Sequence, residues 1–473
     1  MPTQIVSSDE YLPVPQSARQ REVEARLKDM SDRLARHQGL SRRRFFQTAA
    51  GMAASFVAMN QVFGPLFDAS AAEAATPDLA NQRAQALSGQ FVIDGHTHFL
   101  RDDTRLTNFV RGREAVGKMG WNKSLAEKEQ TLDDLKFNNY LKEIYMDSGH
   151  QSVAVVELAV RRARGLVHSA GAGVRDPHAG QRAGGLAAHA RAFHHHAGSA
   201  GLARPGRRGG RALQARLVEG LYGRRQHPQG ARRPSVPARR REAVYPFYEK
   251  AMKSGIRNVC IHKGLFAPGI EQRFPRLRPY ADVNDVGKAA KDWPQLNFLI
   301  YHSAYRWVGG NPADGMAEFD QTGRSSWTSD LAEIPQKYGV NNVYGDLGQL
   351  FAWTAVAEPR LAAALMGMLV KGLGADRVLW GTDALWTGAP QWQIEGLRRL
   401  EIPEDMQKKF GFAPLGGADG PTKSAIFSGN SARLYSLEKH AEVTARDRFA
   451  SLKVDYERNG PGRSNLRYGY ARA

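Results

Sequence analysis

At 473 residues with 42% hydrophobic content, the chain can bury a large core and suits a soluble protein of one big domain or two ordinary ones. Its single cysteine, Cys260, excludes an internal disulfide framework and a cysteine-based zinc site, so any metal must be held by histidine and carboxylate. The net charge of +19 invites a nucleic-acid partner, but residues 161–241 carry 18 arginines, no lysine and only Asp176 and Glu219, which is +16 of that total.

No nucleic-acid partner is therefore expected. In chain order, residues 1–40 are polar and mixed in charge, and are expected to be flexible or weakly helical. Ser41-Arg42-Arg43-Arg44-Phe45-Phe46-Gln47 follows, then an apolar run from Ala49 to Phe67 and the small-residue stretch Ala69-Ser70-Ala71-Ala72-Glu73-Ala74-Ala75. A basic start, an apolar middle and an A-x-A site make a signal peptide, and the paired arginines before Phe45 resemble a twin-arginine signal. Residues 1–75 are read as that signal region, with a periplasmic or extracytoplasmic destination. Gln61, Gly64 and Pro65 break the apolar run, so no stable membrane span is expected. The alternatives are an uncleaved anchor and an amphipathic interaction helix.

The apolar run Phe91-Val92-Ile93-Asp94-Gly95-His96-Thr97-His98-Phe99 reads as a strand. Residues i and i+2 of a strand share a face, so His96 and His98 can converge on one metal ion. Leu132, Leu135, Leu141 and Ile144 give a helical pattern around 125–146.

Between about 149 and 243 the periodicity collapses into Arg, Gly, Ala, His and Pro. Three readings compete: a basic insertion that binds a polyanion, a metal buffer built on His194, His195 and His196, or translation in the wrong frame. Read one base later, the codons for residues 216–230 permit the string DSWKGYTVGDNTHK and those for 197–205 permit PGQPGWLD. Both look like ordinary globular protein, which favours a frameshift.

Order resumes at Val244. The segments 256–262, 296–302, 342–347 and 377–383 read as strands, with helices near 283–293, 329–338 and 360–373 between them. Strands alternating with helices imply parallel strands and right-handed crossovers, with function at the carboxyl ends. Four strands follow the anomalous segment and at least one precedes it. The segment has room for the three that would complete a (β/α)8 TIM-type barrel.

The polar residues ending these strands are His96 and His98, His262, His302 and Asp383. Imidazole and carboxylate suit zinc or a similar divalent ion, with a position left for water or substrate. Each alone has a structural explanation, as a hydrogen-bonded core histidine or a capping aspartate. All five at one end of successive strands are hard to obtain by chance. Asp346 is a candidate for fixing a histidine tautomer. Lys263, Arg306 and Trp386, with Trp307 and Trp392, are weaker candidates for substrate contact, since loop exposure or core packing explains each as well.

Asp94-Gly95-His96-Thr97-His98, Ile261-His262, Tyr301-His302 and Leu379-Trp380-Gly381-Thr382-Asp383 together resemble the amidohydrolase superfamily. The nearest resemblance is to its amidohydrolase-2 group, which includes aminocarboxymuconate-semialdehyde decarboxylase and related hydrolases and lactonases. Ile426, Asn430, Ala432, Arg433, Leu434 and Tyr435 resemble that group's closing helix.

The resemblance covers 90–148 and 244–438 and implies a barrel over 90–438; the polar tail 439–473 reads as a surface extension. It implies one divalent metal, usually zinc, with His96, His98, His262 and Asp383 as ligands. Asp383 would also accept a proton, and His302 would act beside the metal-bound water as acid/base or electrostatic partner. The expected activity is metal-dependent hydrolysis of a small carbonyl substrate, with decarboxylation of an aromatic or unsaturated acid as the alternative on the same site. A homo-oligomer is left open. Taken literally, the anomalous segment would leave the barrel unclosed, with exposed strand edges and poor folding.

Overall fold

The computed structural model describes residues 1–5, 14–100, 129–148, 152–158, 192–195, 241–307, 310–437 and 450–460, with a few single positions between 110 and 126. Seven parallel strands organise them. They are β1 (Val92–Phe99), β2 (Ser152–Leu158), β3 (Ala192–His195), β4 (Asn258–His262), β5 (Asn297–Tyr301), β6 (Val343–Asp346) and β7 (Val378–Leu379). β1 pairs with β2 from Val92–Ser152 to Phe99–Leu158, and β3 to β7 pair in chain order.

The two sheets meet where the chain beyond β7 runs beside β1. Gly95 N–H donates to Trp380 O at 3.1 Å, Asp383 N–H to His96 O at 2.8 Å and His98 N–H to Ala384 O at 2.5 Å. Thr97 and Ala384 bridge in parallel. The wall therefore runs β2-β1-β7-β6-β5-β4-β3, the cyclic order of a (β/α)8 barrel. One position, between β2 and β3, is filled by no strand among the described residues.

Helices cover the wall: α5 (Arg241–Lys253), α6 (Val286–Asp292), α7 (Pro312–Thr322), α8 (Thr328–Tyr338), α9 (Gly348–Ala357), α10 (Pro359–Leu373) and α11 (Gln391–Arg399). α9 is apolar but for Gln349 and Thr354, and every residue of it is buried. Pro359 opens α10 in its first turn, where a missing N–H costs nothing, and Gly374 at φ 93° ends it.

The first 40 residues are more regular than expected. Ala18–His37 form α1, a 20-residue helix capped by a reciprocal Ser17–Gln20 capping box, where flexible or weakly helical chain was expected. Ala49–Phe63, the expected middle of a signal peptide, form α2, buried along most of its length within the same core cluster as α9 and α10. Its composition explains this, because a helix without a polar face is stable only when covered on all sides. The small-residue stretch forms α3 (Ala71–Ala75) and leads into α4 (Pro77–Ala86). Asp68 N–H donates to Arg399 O at 2.7 Å and Glu401 N–H to Leu66 O at 2.8 Å, so this stretch is bonded to the end of α11.

The anomalous segment is also shorter than the sequence suggested. β2 and β3 lie inside 149–243, and β2 is the ordinary Val-rich run SVAVVEL, so regular structure persists to Leu158. Most of the arginines, the codons at 197–205 and 216–230 and His196 lie outside the described residues. The helical pattern near 125–146 is realised as helical turns over Asp133–Met146. In the C-terminal extension α12 (Ala450–Asn459) packs back, with Tyr456 OH donating to Asp147 at 2.7 Å and Lys453 Nζ to Ser148 O at 2.8 Å. No described helix is long and apolar enough to cross a membrane.

Candidate metal centre

β1 carries His96 and His98 on one face, β4 ends at His262, His302 follows β5 and Asp383 lies just beyond β7. All five side chains are buried, none more than 8% exposed. The ligand atoms of His96, His98 and Asp383 lie within 4.8 Å of one another, as do those of His96, His262 and His302. Asp383 Oδ1 stands 2.8 Å from His98 Nε2 and 3.3 Å from His96 Nε2. The five residues singled out by their strand-end positions thus form one cluster.

Asp346, at the end of β6, supports it from behind. Its Oδ1 is 2.7 Å from His96 Nδ1 and accepts the His302 backbone N–H at 3.3 Å. A cation at His96 Nε2 would place the imidazole proton on Nδ1, facing this carboxylate, the usual arrangement behind a metal-bound histidine. The His96 ring also stacks on Tyr301 with centroids 3.9 Å apart.

Two residues that sequence reasoning passed over complete the frame. Asp94 accepts Thr382 Oγ1–H at 2.5 Å and the backbone N–H groups of Thr382 and His96, tying β1 to the β7 segment. Gly381 has no room for a side chain, because a Cβ there would meet Asp346 Oδ2 at 2.1 Å and His96 Cβ at 2.7 Å. Both stand inside the Asp94-Gly95-His96 and Gly381-Thr382-Asp383 motifs. A glycine beside two strand-end ligands is a signal of close approach.

Burial governs the charges. It holds the His96 imidazole well below the usual range, with His98 adding to the effect, and does the same to His302, with His96 and His98 adding. Burial raises Asp346 to about 8, against the pull of the His302 and Gly348 backbone N–H groups and of His98. It raises Asp94 to about 7 against its hydrogen bonds. Asp383 is driven well above the ordinary carboxylate range by burial and, further, by the nearby Asp346 and Asp94. The Gln349 side-chain amide pulls Asp383 the other way, although it is not in the geometry of a full hydrogen bond. Neutral imidazoles around carboxylates that burial disfavours as anions are the donor set a divalent cation stabilises. Both Asp383 oxygens are buried and neither completes a hydrogen bond, Oδ1 facing the ring nitrogens of His98 and His96 instead, which also fits a cation there.

The weaker candidates separate. Trp386 lies at the cluster, buried and stacked on His98 with centroids 5.2 Å apart and planes 17° from parallel. The Lys263 ammonium is 2.7 Å from Asp285 and donates to Tyr280 O at 3.1 Å. Both charged side chains are almost wholly buried, so the lysine is committed to this pair rather than aimed at substrate. Arg306 pairs with Glu271, donates to Phe266 O and lies over the Trp327 ring, which commits it to its own loop. Trp307 donates to Glu318 at 3.0 Å, and Trp392 is buried in α11.

The sequence model of the amidohydrolase family matches residues 93–437. No curated protein matches the chain. Among solved structures, 2,6-dihydroxybenzoate decarboxylase from Rhizobium is similar at 15% identity and a TM-score of 0.37, over 74% of this chain and 99% of that one. Dihydroxybenzoic acid decarboxylase from Polaromonas sp. JS666, solved with manganese and 2-nitroresorcinol, gives 14% and 0.35, over 74% and 97%. The match to 5-carboxyvanillate decarboxylase from Sphingomonas paucimobilis spans about half of that protein, 53%, and 41% of this chain, at 15% identity and a TM-score of 0.22. At these scores the solved structures add no weight to the family match.

Proposed function

The chain belongs to the amidohydrolase family, and on that premise we propose that it is a metal-dependent enzyme that removes carbon dioxide from a planar aromatic or unsaturated acid. The observation that carries this reading is the Trp386–His98 stack, a flat, buried aromatic wall directly beside the His/Asp cluster. A planar acid laid against that wall brings its carboxylate to the cluster, out of bulk water. Burial there favours loss of the carboxylate charge, which decarboxylation achieves.

In this reading His96, His98, His262 and Asp383 hold a divalent cation, zinc or manganese by their chemistry. When bound, the cation supplies a positive centre that orients the substrate's oxygens and stabilises negative charge. His302 faces the same oxygens, and Trp386 aligns the ring. The bond between the ring carbon and the carboxylate carbon breaks, its electron pair stays on the ring carbon, and a proton taken up from water and passed on through Asp383 ends there as carbon dioxide leaves.

Hydrolysis of a carbonyl substrate is the competing chemistry on the same residues. The full chain, loaded with zinc or manganese, is incubated with hydroxybenzoates, unsaturated acids, lactones and amides. Release of carbon dioxide from a planar acid is expected. Cleavage of lactones or amides without carbon dioxide would overturn the reading. The proposal includes export by the twin-arginine route, and the exposure of Arg42, Arg43 and Arg44 on the folded surface is compatible with it. Cell fractionation tests this, with the protein expected outside the cytoplasm.

A further inference from the structure

His302 and His96 occupy the same cluster, yet their remote ring nitrogens face opposite kinds of partner. His96 Nδ1 faces a carboxylate, which accepts a proton. His302 Nδ1 instead accepts the backbone N–H of Gln349 at 3.2 Å, and a backbone N–H can only donate. The proton of a neutral His302 must therefore sit on Nε2. That atom is fully buried, has no hydrogen-bond partner and points into the cluster.

We propose that Gln349 is a positioning residue whose backbone N–H fixes His302 as a neutral Nε2–H donor to a substrate oxygen. His302 then neither binds the metal nor takes up a proton. Ligation through Nε2 would put the proton on Nδ1, against the Gln349 N–H. The same conflict opposes its use as a base at Nε2. This rests on the function proposed above and divides its labour: His302 donates a hydrogen bond, and proton transfer is left to Asp383.

The local backbone is built for this contact. His302, Ser303 and Ala304 have φ of 56°, 44° and 56°, a run of left-handed residues that brings the ring over the first turn of α9. Ser303 Oγ–H donates to Asp346 O at 2.8 Å and holds that turn. Gly348 leaves the space for it, since a Cβ there would meet His302 Nδ1 at 2.5 Å. The helix N-terminus by itself would be unremarkable. A buried, unpartnered Nε2 on the far side of the same ring gives it a use.

The test is nitrogen NMR of the full chain labelled with 15N-histidine, metal-free and zinc-loaded, with His302 identified by the signals lost in His302→Gln. A protonated Nε2 and an unprotonated Nδ1 are expected between about pH 6 and 8. Proton occupancy at Nδ1 in that range, or a zinc-dependent shift showing His302 ligation, would overturn the proposal. Gln349→Ala keeps the N–H and should keep the tautomer, whereas Gln349→Pro removes the N–H and should release it. If Gln349→Pro does not fold, the wild-type spectrum still decides. Loss of the donor in His302→Ala should lower kcat on the order of 10²–10³-fold with a smaller effect on KM. A correct tautomer in a protein that releases no carbon dioxide would refute the proposed reaction and leave this assignment standing.

Discussion

Asp346 Oδ1 lies 2.7 Å from His96 Nδ1 while its other oxygen stands where a Cβ on Gly381 would fall, so one carboxylate fixes a ligand's orientation and requires the glycine just beyond the next strand. Outer partners of this kind govern metal affinity without touching the metal. Asp346→Asn keeps an acceptor for His96 but loses its charge. The expected outcome is a loss of roughly 10–100-fold in affinity for zinc or manganese, measured by calorimetry, with secondary structure retained in circular dichroism.

Arg399 binds Glu73 through two bonds of 2.9 and 2.6 Å and Glu395 at 3.2 Å, and all three residues are buried. Its guanidinium also lies over the Phe56 ring of α2. Removing one partner of a buried pair leaves the other charge uncompensated, at a cost of about 3–5 kcal/mol. Glu73→Ala should therefore lower the melting temperature by several degrees, and Glu73→Ala combined with Arg399→Met should recover part of the loss. Glu73 lies within the A-x-A stretch, so cleavage there would cut the element that supplies it. A chain begun at residue 76 should melt well below the full chain.

Glu358, at the start of α10, gives a pH prediction outside the metal centre. Burial raises it to about 7, with Asp320 adding to the rise and Arg19 and Arg360 opposing it. The folded state then holds a proton that the unfolded chain loses near 4.5, so stability falls as pH rises from about 4.5 through 7 and stays reduced above. Glu358→Gln should change little at pH 4.5 and raise stability progressively to pH 8. The upper limit is on the order of 3 kcal/mol, since one pKa unit is about 1.4 kcal/mol. Arg19 is 3.9 Å away and exposed, so loss of that pair subtracts little. Denaturant titrations at pH 4.5, 6 and 8 check the trend.

The barrel and its cluster were legible because each strand after Val244 is a short apolar run ending in a polar residue, and parallel strands send those ends to one rim. His96, His98, His262, His302 and Asp383 could be gathered on that ground alone. Gln349 could not, because it acts on His302 through a backbone N–H that any residue but proline supplies. Lys263 looked available because sequence adjacency to His262 says nothing of Asp285, 22 residues on, which neutralises it. The N-terminal region was read from the grammar of export signals. The same apolar run that marks a signal peptide also packs as a buried helix in this fold, with Phe56 against Phe67 and beneath the Arg399 guanidinium, so the run alone does not tell one use from the other.

β2 ends at Leu158 in ordinary Val-rich sequence, and β3 pairs with β4 over only Ala192–His195. Among the described residues the barrel wall is interrupted at one position, and a chain that left it so would carry two unpaired strand edges, which cost stability and invite aggregation. The frame one base later permits Trp-Lys-Gly-Tyr-Thr-Val, a β-branched and aromatic run of strand character, from the codons of residues 218–224; this run follows β3 in the chain, so the restored frame would replace β3 beside β4 and supply the position before it from codons further upstream. A gene restored to that frame between about codons 159 and 243 should yield a protein with a higher melting temperature, less aggregation and a full equivalent of bound metal. Sequencing the DNA should locate a compensating pair of insertions or deletions near those limits. If the literal chain already melts cooperatively with one bound metal per chain and the restored chain gains nothing, the strand is supplied by the sequence as it stands.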